Sequence, residues 1–507
     1  MQMNRSGTEK KAQTSAENEP VSPIRRLFRH SAIYSISTSV QRLQGLILTP
    51  VYTSTLYLPQ VSQYGNYGLV YTFIAFMNFV YLYGMDAAFL RYFFLGKKSP
   101  KSVFSSSFLI LILSSLVTSV LLLVFAGSIA EVILFSPALA PLVRLAALIL
   151  FFDTIGNFPF LILRAEERPV TFTVFRMLRF SLELIFNIIF VVVLKKGVPG
   201  ILYANLLASM INLIVMSPFA AKYFQLVIDF PLVKQMVRFG LPFLPNGIAF
   251  MTIEMMDRFL VTKYLGKDVM AFYHANCKFA TVLLLLIVGF RNAWQPFFLK
   301  IARDKNAQVI YSRILNYFVF GAGSIVIFML FFIKPILTHH YFSSFYILGT
   351  KYWAGIPIIP WRVFAYFLFG IYVIFTPAFY ITKKSQYMFL FTGAGAVINI
   401  LLNFLLLPRI GMWGAVTATV GAYFVMALLI SMVAQKIYPI PLNYKKLFWG
   451  TTIIALSFLI HHLFRETIGW LILFFIVMVI IFLFTMFNMQ EISRLKFSAS
   501  NPLKKKR

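Results

Sequence analysis

Gly197-Val-Pro-Gly200-Ile-Leu-Tyr-Ala204 and Gly411-Met-Trp-Gly414-Ala-Val-Thr-Ala418 are two versions of one pattern, about 210 residues apart. Each opens a long apolar stretch. Each follows another apolar stretch that contains asparagine, Asn187 in the first case and Asn399 with Asn403 in the second. A second echo has similar spacing: Thr55-Leu-Tyr57-Leu58 near the end of the first apolar span, and Thr262-Lys-Tyr264-Leu265 at the end of the seventh. Six spans separate the members of each pair. An even offset preserves orientation, so the two parts read as parallel repeats related by an axis along a membrane normal. Small residues at helix starts are common in membranes; the shared spacing is what makes these a repeat.

The rest of the chain fits that frame. Of 507 residues, 60% are hydrophobic and 12% charged, against about 25% charged in a soluble domain. Mean hydropathy is +0.80. About 20 apolar residues cross a bilayer as a helix, and the sequence offers fourteen such stretches. The expected fold is an all-α polytopic membrane protein of about 14 transmembrane helices, with two parallel six-helix bundles plus two C-terminal helices. A soluble enzyme, a secreted module and a single-anchor protein are excluded. No strand-type alternation repeats along the chain, which speaks against a β-barrel.

The expected organisation is a disordered basic cytoplasmic tail over 1–30, an N-terminal bundle over 31–219 and a linker helix over 220–238. A C-terminal bundle follows over 239–434, helices 13 and 14 over 435–487, and a basic tail over 488–507. The N-terminal stretch is too long and polar for a signal peptide. The two most polar spans are 31–57, with Gln41, Arg42 and Gln44, and 171–194, with Arg176, Arg179 and Glu183.

Lys and Arg number 46 against 16 Asp and Glu, a formal net charge of +30. Nucleic-acid binding is one source of such an excess; cytoplasmic loops of membrane proteins are another. With both termini inside, the inner segments hold 32 of the 46 basic residues and the outer loops 8. That asymmetry accounts for most of the charge without nucleic acid.

No Walker A, HExxH or GxSxG arrangement occurs, so neither a P-loop ATPase nor these hydrolases are indicated. The lone Cys277 rules out a disulfide framework. His339-His340 and His461-His462 are adjacent pairs near span ends; neighbours on a helix diverge by about 100°, which suits a shared metal poorly. No metal site is expected.

Ionisable residues within spans carry the functional information, because each is costly in hydrocarbon. The cations are Arg42, Arg144, Arg258, Lys278, Arg291 and Arg362; the acids are Asp86, Asp153, Glu183, Glu254 and Asp257. Glu254 and Arg258 stand at i and i+4, the favourable order for a pair on one helix. Asp257 then faces elsewhere, toward Lys278 or Arg42. Arg42, with Gln41 and Gln44, is a poor choice for a lipid-facing surface and reads as lining an aqueous cavity. Arg362 follows Pro357 and Pro360 and either lines the outer cavity or snorkels. Asp86 and Arg91 suggest a pair or gate. Arg291, Asn292, Trp294 and Gln295 lie near an inner span end. Arginines in a cavity suit a phosphate or carboxylate. Gly240-Leu-Pro242-Phe-Leu-Pro245-Asn-Gly247 weakens the start of the seventh span, as a hinge or a fixed kink.

At these residues the sequence resembles a known family. Phe239-Gly240-Leu-Pro242-Phe-Leu-Pro245, Met256-Asp257-Arg258, Tyr264-Leu-Gly266, Tyr64-Gly65-Asn-Tyr67-Gly68, the stretch from Arg91, and Asn403, Pro408, Gly411 and Gly414 together are similar to bacterial polysaccharide flippases. These are the Wzx-type oligosaccharide flippases of the MATE-like (MOP) superfamily, and the resemblance runs over roughly residues 30–440. It implies alternating access and no enzymatic chemistry. The implied substrate is an undecaprenyl-diphosphate-linked oligosaccharide for surface polysaccharide such as O-antigen or lipopolysaccharide, moved across the bacterial plasma (inner) membrane. Arg42 and Arg258 carry over as substrate-binding residues; Lys278, Gln44 and Arg362 join them by position. Coupling to H+ or Na+ is implied, with Asp86, Asp153, Asp257 and Glu254 as the acids to consider, and no other cofactor. Polysaccharide polymerase and glycosyltransferases are the implied protein partners. The alternatives on this fold are an ion-coupled antiporter of small cations, against which Glu254 beside Arg258 argues, and a peptidoglycan-precursor flippase.

Overall fold

The computed structural model describes residues 44–302, 304–339, 346–382, 384, 386–463 and 468–487. Every regular element among them is helical. The first half comprises α1 (Thr49–Tyr52, preceded by helical residues 44–47), α2 (Val61–Leu82), α3 (Met85–Leu95), α4 (Pro100–Val124), α5 (Ala126–Leu134), α6 (Ala140–Asn157), α7 (Phe160–Ala165), α8 (Pro169–Asn187) and α9 (Gly197–Tyr223). The second comprises α10 (Phe230–Gly240), α11 (Phe243–Leu265), α12 (Lys267–Ile301), α13 (Ala307–Thr338), α14 (Ile359–Ile381), α15 (Gln386–Ile410), α16 (Met412–Ile437), α17 (Tyr444–Leu463) and α18 (Ile468–Met486).

Twelve helical segments among the described residues are long and apolar enough to cross a membrane. They match twelve of the fourteen expected spans. The remaining two are the first, which is described only from residue 44, and α8, whose Arg176, Arg179 and Glu183 break its apolar character. The apolar side chains of α4, α15 and α18 that point away from the protein, such as Val117, Leu401 and Ile480, form surfaces suited to lipid.

The internal repeat reappears in the packing. In the first half α6 packs on α2, α4 and α9, and α9 packs on α8. In the second half α14 packs on α12, α13 and α16, and α16 packs on α15. These are the same pairings six spans later. The halves meet where α2 lies against α11 and α12. α17 and α18 pack on α13 and on each other, outside the repeat.

Two helix breaks lie side by side in the fold. α2 ends and α3 begins at Tyr83 and Gly84, both with positive φ, 33° and 77°. The expected linker helix over 220–238 is instead a helix end at Tyr223, a non-helical stretch over 224–229, and α10. The Asp229 side chain caps α10 by accepting the Leu232 amide, with proline in the first turn, the usual chemistry of a helix start. α10 stops at Gly240, and Leu241–Pro242 separate it from α11. The breaks touch: a Cβ on Gly84 would stand 2.1 Å from the Gly240 carbonyl oxygen. Only glycine permits this backbone approach at this φ. α3 and α10 share a small separate core of Met85, Phe89, Phe104, Phe158 and Met236.

Candidate functional site

The most deeply buried charges lie within the second half. Arg362 on α14 is 0% exposed. Its Nη1 donates to Asp257 Oδ2 at 2.9 Å, to the Tyr273 hydroxyl at 3.0 Å and to Thr419 Oγ1 at 2.5 Å. Its Nη2 donates to the Glu254 carbonyl at 3.0 Å and lies 3.9 Å from the Glu254 carboxylate. Tyr366 and Tyr423 donate to that carboxylate, and Tyr273 donates to Asp257. One arginine thus sits between two carboxylates, with three tyrosines completing the set. Five helices are tied together: α11, α12, α14, α16 and, through packing, α15.

This arrangement corrects three expectations. Arg362 neither lines the outer cavity nor snorkels. Glu254 and Arg258 do not pair through their side chains: Arg258 Nη1 donates to the Glu254 backbone carbonyl at 2.8 Å, while the carboxylate turns to α14 and α16. Asp257 pairs with Arg362 and not with Lys278; its other close cation is Arg258, 3.8 Å away.

The second cluster lies between the halves. Arg258 Nε donates to His274 Nδ1 at 3.0 Å, which places the proton of a neutral His274 on Nε2. The His274 ring contacts Tyr64 and Tyr67 of α2. Gly68 makes that approach possible, since a Cβ there would fall 2.9 Å from the imidazole. One turn further along α12, Lys278 Nζ lies 4.7, 5.3 and 5.6 Å from the ring centres of Tyr67, Tyr64 and Tyr52. It also donates to the Tyr67 hydroxyl at 3.2 Å. Among the described residues no carboxylate lies within ion-pair distance of Lys278. Lys278 is half-buried, and an ammonium held by π-faces and one hydroxyl is stabilised less than one that is ion-paired.

The third cluster belongs to the first half. Asp153 Oδ1 accepts from Arg179 at 2.6 Å and from Ser209 at 2.5 Å. Asn157 accepts from Arg176 and Arg179, each at 3.0 Å. Tyr52 donates to Asn187 at 2.6 Å, and Asn205 donates to Tyr71 at 3.0 Å. Gln44 is half-buried.

Beyond Lys278, on the linker side, is a cavity of about 540 Å3. Arg291, Asn292 and Gln295 of α12, Asn246 of α11, Thr376 of α14 and Phe79 of α2 are among its walls. Arg291 is thirteen residues from Lys278, about 20 Å along the helix. The far half between the lobes is therefore filled by tyrosines and Lys278, while the linker half keeps a polar space.

Of the remaining expected residues, Arg42 lies outside the described residues. Asp86 is half-buried in the first turn of α3, where a carboxylate suits the helix dipole. It forms no ion pair with Arg91, whose guanidinium lies over the Phe239 ring at 4.6 Å. The tyrosines are absent from the sequence-based candidates. Tyr64, Tyr67 and Tyr71 recur at helical spacing, a signal for one shared face of α2. At the linker-side surface, Lys98 pairs with Asp229 at 2.7 Å, and Glu166 accepts from Lys222 at 2.6 Å and Tyr223 at 2.8 Å. Burial pushes the Glu166 carboxyl up, but these two hydrogen bonds outweigh it and hold it below its ordinary range.

Two repeated helical halves around a polar interior make a multi-pass membrane protein with the layout of a transporter fold. The fold is that of the MOP superfamily. A solved lipid II flippase, MurJ, in an inward closed conformation, matches with a TM-score of 0.73 at 18% identity, covering 89% of this chain and 97% of that one. An inward-facing multidrug resistance MATE family transporter matches at 0.54 and 16%, covering 85% and 94%. A MOP superfamily transporter from Pyrococcus furiosus matches at 0.58 and 14%, covering 89% and 98%. Residues 58–346, more than half of the chain, match the family model described as polysaccharide biosynthesis protein. The chain belongs to this family of Wzx-like flippases. No curated protein matches the sequence.

Proposed function

We propose that the protein flips a diphosphate-linked polyprenyl oligosaccharide across the bacterial plasma membrane by alternating access, for surface polysaccharide synthesis. The observation that carries this reading is Lys278, a half-buried cation at the junction of the halves whose described partners are tyrosines. Such a cation is available to an anionic diphosphate, which offers far stronger electrostatics than a π-face. The two binding modes exclude each other. A diphosphate reaching Lys278 from the linker-side cavity would draw the ammonium off Tyr52, Tyr64 and Tyr67, and those contacts help hold the far halves together. Substrate binding would thus loosen the seal that blocks its exit. Arg291 in the cavity and Arg258 on α11 are the proposed further anion contacts, with Arg42, outside the described residues, proposed from the sequence alone.

In this proposal both termini and the linker face the cytoplasm, supported by the 32-to-8 division of basic residues. Energy would come from H+ or Na+. Among the candidate acids, Asp153 is the one whose ion pair keeps some exposure, 16%, whereas Glu254 and Asp257 are occupied by Arg362. The antiporter alternative needs acids free to take up a cation, and those two are not. A polymerase and glycosyltransferases would act on either side of the transport step.

The test is deletion of the gene in the native host. Loss of surface polymer with build-up of the intact lipid-linked unit on the cytoplasmic side, rescued by wild type but not by Lys278→Ala, is the expected result. Accumulation of the peptidoglycan precursor instead would identify that lipid as the substrate. Normal polymer with accumulation of toxic cations would refute the flippase reading.

A further inference from the structure

A second cavity, of about 710 Å3, opens on the opposite membrane face from the linker, among α13, α14, α16, α17 and α18. It shares no lining residue with the linker-side cavity. Its layout is graded with depth. At the rim are Lys334 near the end of α13, and His461 and His462 near the end of α17. Two tryptophans, Trp361 and Trp413, stand in the first turns of α14 and α16. Below them the wall is apolar: Phe458 is one helical turn down from His462, with its ring 4.6 Å from Trp361, and Phe331 lies under His461. Among the described residues the lining includes no Asp or Glu.

Each layer has a physical counterpart in a lipid. Tryptophans belong at the headgroup boundary, which sets the depth of the rim. Lys334 is exposed and supplies a full positive charge, and the two imidazoles supply N–H donors. α16 begins at the rim, so the positive end of its dipole faces the same space. The apolar wall descends along the direction an acyl chain would take. A soluble anion would gain nothing from that wall, and an uncharged lipid nothing from the rim.

We propose that this pocket binds one anionic phospholipid of the surrounding bilayer, its phosphate at Lys334 and His462 and an acyl chain along Phe458 and Phe331. The lipid would fasten α17 and α18, which lie outside the repeat, to α13 and α14. The site is independent of what the protein transports.

The test uses the full chain, purified in mild detergent, with bound lipid counted by native mass spectrometry. Phosphatidylglycerol, phosphatidylcholine and inorganic phosphate are the probes. Wild type is expected to retain phosphatidylglycerol at near one per chain, and to gain thermal stability from it but not from phosphatidylcholine. The double variant Lys334→Gln/His462→Gln is expected to lose at least fivefold in retention. Phe458→Trp, which narrows the chain path and leaves the rim intact, should lose a similar factor. If the double variant does not fold, the single Lys334→Gln at an exposed position makes the comparison, with a loss of at least twofold expected. Equal retention of both lipids, unchanged retention in the folded variants, or displacement of phosphatidylglycerol by inorganic phosphate alone would each overturn the proposal. Preferential displacement by a polyprenyl phosphate would overturn it too, by assigning the pocket to a carrier lipid.

Discussion

Asp257→Asn is the substitution that most directly tests the charge network in the second half. It changes one oxygen to an amide and hardly alters volume. Arg362 stays 0% exposed but loses the full charge 2.9 Å from its Nη1. With an effective dielectric constant of about 20, that attraction is roughly 6 kcal/mol. The amide oxygen can keep a hydrogen bond, and the Glu254 carboxylate remains 3.9 Å from Nη2. What is left as net cost is about 3–5 kcal/mol, the range for breaking a buried pair from one side. A unit the size of one half shifts by roughly 2–4 °C per kcal/mol. The expected fall in the unfolding midpoint is therefore about 6 °C or more, read by thermal-shift size-exclusion chromatography in detergent. Glu254→Gln should cost less, because the Glu254 carboxylate lies 3.9 Å from Arg362 Nη2, farther than Asp257, and one tyrosine hydroxyl can still donate to the remaining oxygen while the other turns to accept from the new amide. A shift below about 1 °C for Asp257→Asn, or a larger one for Glu254→Gln, would contradict Asp257 as the main counter-charge of Arg362.

Lys278→Met should reduce transport, read as accumulation of the lipid-linked unit, at least tenfold, while the unfolding midpoint falls by no more than about 8 °C, since the lost ring contacts are worth about 2 kcal/mol. Gly84→Ala should impair transport and lower the yield of folded protein, because its Cβ would meet the Gly240 carbonyl at 2.1 Å; full function in a Gly84→Ala protein with unchanged stability would contradict the backbone contact. Asp229 is held below the usual carboxylate range, first by the Lys98 side chain and then by the Leu232 amide. A lowered carboxyl favours the folded form above its unfolded value and loses that benefit as pH falls through the lowered one. Hydrogen exchange at the start of α10, corrected for intrinsic rates, should be slower in wild type than in Asp229→Asn at pH 6, and the difference should shrink as the pH is lowered below the ordinary carboxylate range. Arg179→Met should destabilise the first half by about 3–5 kcal/mol by leaving Asp153 uncompensated, measured as a loss of unfolding midpoint that Asp153→Asn in the same chain partly restores.

The fold is legible in the sequence because its determinants are local and periodic. Twenty-residue apolar runs and the Gly197 and Gly411 motifs need no knowledge of neighbours. The site is harder for the opposite reason. Glu254 and Arg258 look paired at i and i+4, but a helix pattern holds only its own helix. The carboxylate finds Tyr366 and Tyr423 on helices more than a hundred residues later, and these release Arg258 toward His274. Arg362 stands out as intramembrane, yet its burial depends on Asp257, Tyr273 and Thr419 arriving from three other helices. Lys278 is identified from its position alone, without its tyrosines. Aromatic residues are so frequent in this chain, 17% of it, that three on one helix face do not stand out by composition.

The break at Leu241–Pro242 divides ownership of one membrane span. α10 is packed with α3 and α4, on the first half, whereas α11 is packed with α15, on the second. The chain therefore crosses from one half to the other inside the protein, at Gly240, where the neighbouring span is also interrupted. Breaking helical hydrogen bonds in hydrocarbon costs several kcal/mol each. Here both ladders are already interrupted, and the bare backbones shield each other from lipid. Rotation of the halves about this point would put at stake only the few backbone bonds that bridge the break, Leu241 N–H to the Val237 carbonyl at 2.8 Å and Leu244 N–H to the Leu241 carbonyl at 3.1 Å. The barrier to switching would then reside in side-chain contacts such as the tyrosines around Lys278, which a ligand can replace one for one, and the speed of the cycle becomes a property that substrate chemistry can set.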